Sequence, residues 1–203
     1  MNSLKYQIVT RIRAKGRGHV YFSKDFLDLG GRGTIDVTLS NLAKSGFIRR
    51  LSRGLYDYPR YNVKLGGELS PAVDQVAEAI ARKRGWHIIA FGALAANLLG
   101  LSEQVPAKVV YLSNGPSKIV NVERLKIHFK HAEPKEMRIK SSMSNLVFQA
   151  LRCMGKNHVD NKVVRKIQRM LKTKDRRRLI KDARYQSDWI YEMSKKISAE
   201  GDG

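Results

Sequence analysis

The chain has 203 residues, room for one large domain or two small ones with a genuine core. Hydrophobic residues make up 42% and charged residues 28%, ordinary for a globular protein, but Lys+Arg outnumber Asp+Glu by 39 to 18, a formal net charge of +21. Such a field attracts polyanions, nucleic acid first among them. No apolar run reaches the roughly 18 residues of a spanning helix. Lys5, Arg11 and Arg13 break up the amino-terminal apolar pattern, so neither a membrane partner nor a signal peptide is predicted. The lone Cys153 cannot form an internal disulfide and is expected in a helix packing face; a cytoplasmic location fits. The charge concentrates at both ends: residues 1–62 hold 12 basic and 4 acidic side chains (net +8), residues 63–135 hold 10 and 6 (net +4), and residues 136–203 hold 17 and 8 (net +9).

From the amino terminus, Leu4, Ile8 and Ile12 recur at helical spacing with Val9 alongside, and Gly16 and Gly18 end that helix. Ser23 is a good cap for a short helix, SKDFLDLG, that stops at Gly30-Gly31, and Thr34 is expected to cap the next. The stripe Ile35, Leu39 and Leu42 turns inward, which leaves Asp36, Val37, Ser40, Asn41 and Lys44 on the opposite face. A basic strand follows, with Ile48 and Leu51 inward and Arg49, Arg50, Ser52 and Arg53 clustered at a turn. Gly54 supplies the positive φ of a tight hairpin before Leu55, Tyr56 and Tyr58 return to the core side. Helices followed by a basic hairpin predict a winged helix-turn-helix over residues 1–62. Its chemistry suits double-stranded DNA: Asn41 pairs with adenine, Val37 meets a thymine methyl, Asp36 accepts from cytosine, and Lys44 and the hairpin arginines take phosphates or the minor groove. A helical bundle with a basic hairpin that docks on a protein is the competing reading of the same pattern.

Residues 63–203 read as a second domain, with an α/β part over about 68–135 and a helical part over about 140–198. Ser70 caps and Pro71 opens a helix to about Arg84. A buried strand, Trp86 to Phe91, precedes a small-residue helix ending near Gly100, and three strands end at Ser113, Val122 and His131. The fold class is therefore mixed α+β. No catalytic motif appears: there is no Walker or dinucleotide phosphate loop and no GxSxG elbow. His128 and His131, three apart on a strand, face opposite sides, so no metal site, cofactor or enzyme activity is expected.

In the tail, Ser144 is expected to cap a helix that packs through Leu146, Val147, Ala150, Leu151 and Met154. The helix from about Asp160 to Lys172 divides cleanly, with Val163, Ile167, Met170 and Leu171 on one arc and Lys162, Arg165, Lys166, Arg169 and Lys172 on the other. Arg176, Arg177 and Arg178 follow, then an amphipathic end through Trp189, Ile190, Met193 and Ile197. This basic face is read as a solvated surface, a partner-binding surface or a grip on nucleic-acid backbone. Residues 199–203 are expected to be disordered.

The segments RRLSRGLYDYP (residues 49–59) and ALAANLLGLSEQVPAKVVYLSNGPSK (93–118), with a helical tail behind them, resemble the AbiEi family of antitoxins of type IV (abortive-infection) toxin–antitoxin systems, which act in phage defence. The resemblance covers nearly the whole chain, and GLS-x-QVPAKVVYLS-x-GPS is its most specific part. It implies an autorepressor whose winged helix binds its own operon promoter, at repeats, through Ser40, Asn41, Lys44, Arg49, Arg50 and Arg53. It also implies a second domain that counteracts a cognate nucleotidyltransferase toxin, functionally and without a stable complex. The Gly-Ser plus Asp-x-Asp pattern of such a toxin is absent. Two alternatives stand beside this reading: a plain winged-helix regulator with a ligand-sensing domain, and an RNA-binding protein that uses the basic tail.

Overall fold

The computed structural model describes residues 3–199 and is a mixed α+β chain. Two compact units emerge: one takes residues up to Trp86 together with Asn121–Lys126, the other takes His87–Val120 and the chain from Ile127 onward.

In the first unit, α1 (Leu4–Lys15) begins where the Ser3 hydroxyl accepts from the Tyr6 amide at 3.3 Å and stops at Gly16, whose φ is 81°. After β1 (Val20–Phe22) comes a single 3₁₀ turn, Ser23–Phe26, in place of the expected short helix. Ser23 is its first residue and not its cap; the Asp25 carboxylate accepts from the Phe22 amide at 2.8 Å. The helix α2 (Arg32–Lys44) starts two residues ahead of Thr34, the expected cap, with Gly31 in the cap position. Its register is set by Ile35, Leu39 and Leu42, which lock onto Ile8, Ile12, Phe26 and Tyr21 in one apolar cluster. The strands β2 (Arg49–Ser52) and β3 (Leu55–Asp57) form a hairpin, and β1 pairs antiparallel on the far side of β3, giving the order β1-β3-β2. Ile48 and Tyr56 carry this sheet into the same core.

A two-stranded ribbon, β4 (Tyr61–Asn62) and β5 (Gly67–Glu68), leads to α3 (Val73–Arg84). That helix begins at Val73 with Ala72 in the cap position, so Ser70 and Pro71 lie ahead of it and not at its start. The Arg82 guanidinium donates to the Val20 carbonyl at 2.8 Å and tethers α3 to β1.

From His87 the chain holds β6 (Ile88–Ala90), shorter than the expected strand, then α4 (Ala93–Leu98), β7 (Val109–Ser113), β8 (Lys118–Val122) and β9 (Leu125–His131), the tip of the last hairpin, Asn121–Lys126, going with the first unit. The sheet order is β6-β7-β9-β8, with β6 antiparallel to β7 and β7 parallel to β9. The helix α5 (Ser142–Met154) is capped by Ser141, which accepts from the Ser144 amide; Ser144 is a buried residue inside the helix and not its cap. Asp160, expected at about the helix start, is the cap of α6 (Asn161–Met170): its carboxylate accepts from the Val163 amide at 2.9 Å. The arginine triplet lies inside a separate helix, α7 (Thr173–Ala183), before α8 (Asp188–Ser198).

Three packing expectations are corrected. Cys153 is exposed. On α6, Val164 is buried while Met170 lies in solvent, which rotates the packing stripe by about one residue from the expected arc. Ala199 closes α8 as its C-cap, and residues 200–203, also expected to be disordered, lie outside the described residues. No described helix is long and apolar enough to cross a membrane, and no described cluster of His, Cys, Asp and Glu suits a metal ion.

Candidate nucleic-acid interface

Burying Ile35, Leu39 and Leu42 forces the residues between them outward on α2. Val37 is 60% exposed on this outward face. Asn41 and Lys44 are also exposed, and Ser40 is half-buried. Asp36 is different: it pairs with Arg32 one turn earlier at 3.0 Å. The Ser23 hydroxyl and the Arg32 guanidinium hold its carboxyl below the usual carboxylate range. Asp36 thus already carries an intrahelical partner on one carboxylate oxygen, unlike the other candidate residues of this face. Arg32, the first residue of the helix, lies outside the helix that a cap at Thr34 predicts.

The hairpin sorts its arginines by register. Arg49 stands opposite Asp57, and its guanidinium donates through Nε and Nη2 to the two carboxylate oxygens at 3.1 and 2.6 Å, with a third bond to the Leu69 carbonyl at 3.0 Å. Asp57 is 1% exposed, so this is a buried bidentate clamp, and the pair raises the Arg49 pKa above its ordinary value. Arg49, expected at the turn, is thereby withdrawn from any ligand. Arg50, Ser52 and Arg53 are exposed, and no ion pair engages Arg50, Arg53 or Lys44 among the described residues. Gly54 at φ 72° closes the turn. Sequence spacing separated tip from strand poorly because the pairing register shifts between Arg50 and Ser52.

The first unit carries further cations that spacing did not suggest. Phe47 stacks on Tyr58 at 5.2 Å, with Arg13 lying 5.6 Å over Phe47 and Arg17 4.5 Å over Tyr58. Arg17 also donates to the Pro59 carbonyl at 2.8 Å. The aromatic residues on the return strand were the available signal.

In the second unit, Lys162, Arg165, Arg169 and Lys172 are exposed along α6 and its end. Lys166 donates to the Gly100 carbonyl. The arginine triplet is divided. Arg176 is half-buried and donates to the Gln168 carbonyl at 2.6 Å, Arg178 pairs with the buried Asp182 at 3.0 Å, and Arg177 alone is exposed without an ion pair. Arg176 thus ties α7 to α6, Arg178 pairs within α7, and the cations without such a partner are the outer row of α6 with Arg177.

No curated protein matches the chain. A family model matches residues 7–179, which takes in both the α2 face and hairpin of the first unit and the α6 row of the second; the chain belongs to DUF6088, a family of unknown function.

Proposed function

We propose that the chain is an antitoxin and autorepressor: residues 1–62 form a winged helix that binds its own promoter, and residues 63–203 counteract a nucleotidyltransferase toxin as in the AbiEi family it resembles. The observation that carries the DNA reading is the set of exposed side chains Val37, Asn41, Lys44, Arg50 and Arg53, whose three cations have no ion-pair partner among the described residues. An element order of helix, strand, turn, helix and hairpin with sheet order β1-β3-β2 supports the same reading. In the major groove, Asn41 offers a donor and an acceptor to adenine and Val37 a methyl contact to thymine. Lys44, Arg50 and Arg53 neutralise phosphates, which sets register and affinity but reads no sequence.

Titration of the full chain against its promoter at several salt concentrations tests this. Arg50→Ala and Arg53→Ala each flatten the plot of log K against log salt by about one unit. Asn41→Ala narrows the gap between operator and random DNA instead of lowering both equally. If neither kind of variant alters promoter binding, the DNA assignment fails. Growth of cells that express the neighbouring gene tests the antitoxin half: the Arg50→Ala/Arg53→Ala chain still rescues while repression is lost.

The uncompensated outer row of α6 favours a second reading, an RNA-binding protein. It is distinguished by which variants matter, since RNA binding would survive Arg50→Ala/Arg53→Ala and fall with Lys162, Arg165 and Arg169.

A further inference from the structure

We propose that the second unit binds a free nucleotide in the cavity between the 132–140 loop, α5 and the turn joining α7 to α8. The cavity encloses about 400 Å³, which suits a small ligand. It lies within one unit and uses none of the residues assigned above to DNA or to the α6 row.

Its floor is apolar, formed by Phe148 and Ile139, and two amides rise beside them from consecutive turns of α5. Asn145, 5% exposed, spends one N–H on the Ile139 carbonyl at 2.7 Å and keeps its other N–H and its carbonyl. Gln149 is 7% exposed and has no side-chain hydrogen bond among the described residues. The unbonded amide atoms of both residues are not buried away from solvent, so they face the open cavity and are available to a hydrogen-bonding ligand. One buried amide with free donors and acceptors, beside another left half-satisfied, matches the mixed edge of a nucleobase better than it matches a carboxylate or a sugar.

The rim supplies the other two parts of a nucleotide site. Arg138 lies over the exposed Tyr185 ring, 4.6 Å from guanidinium carbon to ring centroid, which makes a flat platform for a base. Arg152 donates to the neutral Gln186 side chain and makes no ion pair among the described residues; desolvation lowers its pKa, which the nearby Glu136 carboxylate offsets only in part. Lys135 adds a second free cation. The one carboxylate at the cavity, Glu136, accepts from the Glu133 amide at 3.0 Å and is tied into its own loop. The ring lies on Tyr185, its edge on Gln149 and Asn145, and its phosphate on Arg152 and Lys135.

Calorimetric titration of the full chain with the four nucleoside 5′-monophosphates, inorganic phosphate and a short single-stranded RNA tests the proposal. One site per chain is expected for at least one monophosphate, at least about tenfold tighter than phosphate. Tyr185→Ala, a surface change that leaves the fold intact, weakens it about tenfold by removing the stacking platform, and Lys135→Gln weakens it less. Lys162→Ala leaves it unchanged. Three results overturn it: monophosphates no tighter than phosphate, affinity indifferent to Tyr185→Ala, or binding of the RNA strand alone.

Discussion

Arg49 and Arg50 are neighbours in sequence with opposite assignments, and chemistry explains the division. Arg49 holds a carboxylate that is 1% exposed, so its removal leaves a buried charge without a partner. Arg49→Ala is expected to destabilise the chain by about 3 kcal/mol in chemical denaturation, whereas Arg50→Ala leaves stability within about 0.5 kcal/mol. Equal stability losses for both would contradict the clamp. On the other side of the unit, Arg11 grips Asp28 through both guanidinium nitrogens at 2.7 and 2.6 Å. That hydrogen bonding depresses the Asp28 pKa in the folded chain below its unfolded value of about 4. The sign follows from linkage. The stabilisation is complete above the unfolded pKa and is lost as pH falls through the folded one. Asp28→Asn therefore flattens the acid limb of a stability–pH profile and leaves its slope above pH about 6 unaltered.

At the scale of elements, apolar period was the most legible signal, because burial fixes which face turns inward. Ile35, Leu39 and Leu42 gave the α2 face correctly, and Leu51 gave the hairpin's buried side. Helix starts were less legible. Thr34, Ser70 and Ser144 all have good capping chemistry, yet Gly31, Ala72 and Ser141 occupy the caps, since a cap hydrogen bond of about 1 kcal/mol yields to the packing of the turn beside it. Ion pairing across the hairpin was illegible for another reason: Asp57 meets Arg49 only once the strands pair. The hairpin turn offers a clean test of a local requirement. A Cβ added at Gly54 meets no atom within 4 Å, so only its φ of 72° opposes a side chain. Gly54→Ala should cost about 1 kcal/mol in denaturation and weaken promoter binding by shifting Arg53, while Gly54→Asn, which tolerates that conformation, should restore most of both. An alanine variant as stable as the parent would mean the turn relaxes freely.

Over the whole molecule, net charge was legible from composition, but its division into structural and available cations was not. Eight basic side chains among Lys162, Arg165, Lys166, Arg169, Lys172 and the arginine triplet formed one expected surface. Lys166, Arg176 and Arg178 are instead engaged by Gly100, Gln168 and Asp182, which leaves five. Those five lie on helical elements whose opposite sides bury Val164, Ile167, Leu171 and Leu179, so the row can be neutralised without touching the core. Under the proposed division of labour, DNA affinity belongs to the first unit and toxin neutralisation to the second. Replacing Lys162, Arg165, Arg169 and Lys172 by Gln should then preserve the melting temperature, keep the salt slope of promoter binding within about one unit, and abolish rescue of cells expressing the toxin. If the slope instead falls by about four units, the row itself grips the promoter and the proposed division of labour fails.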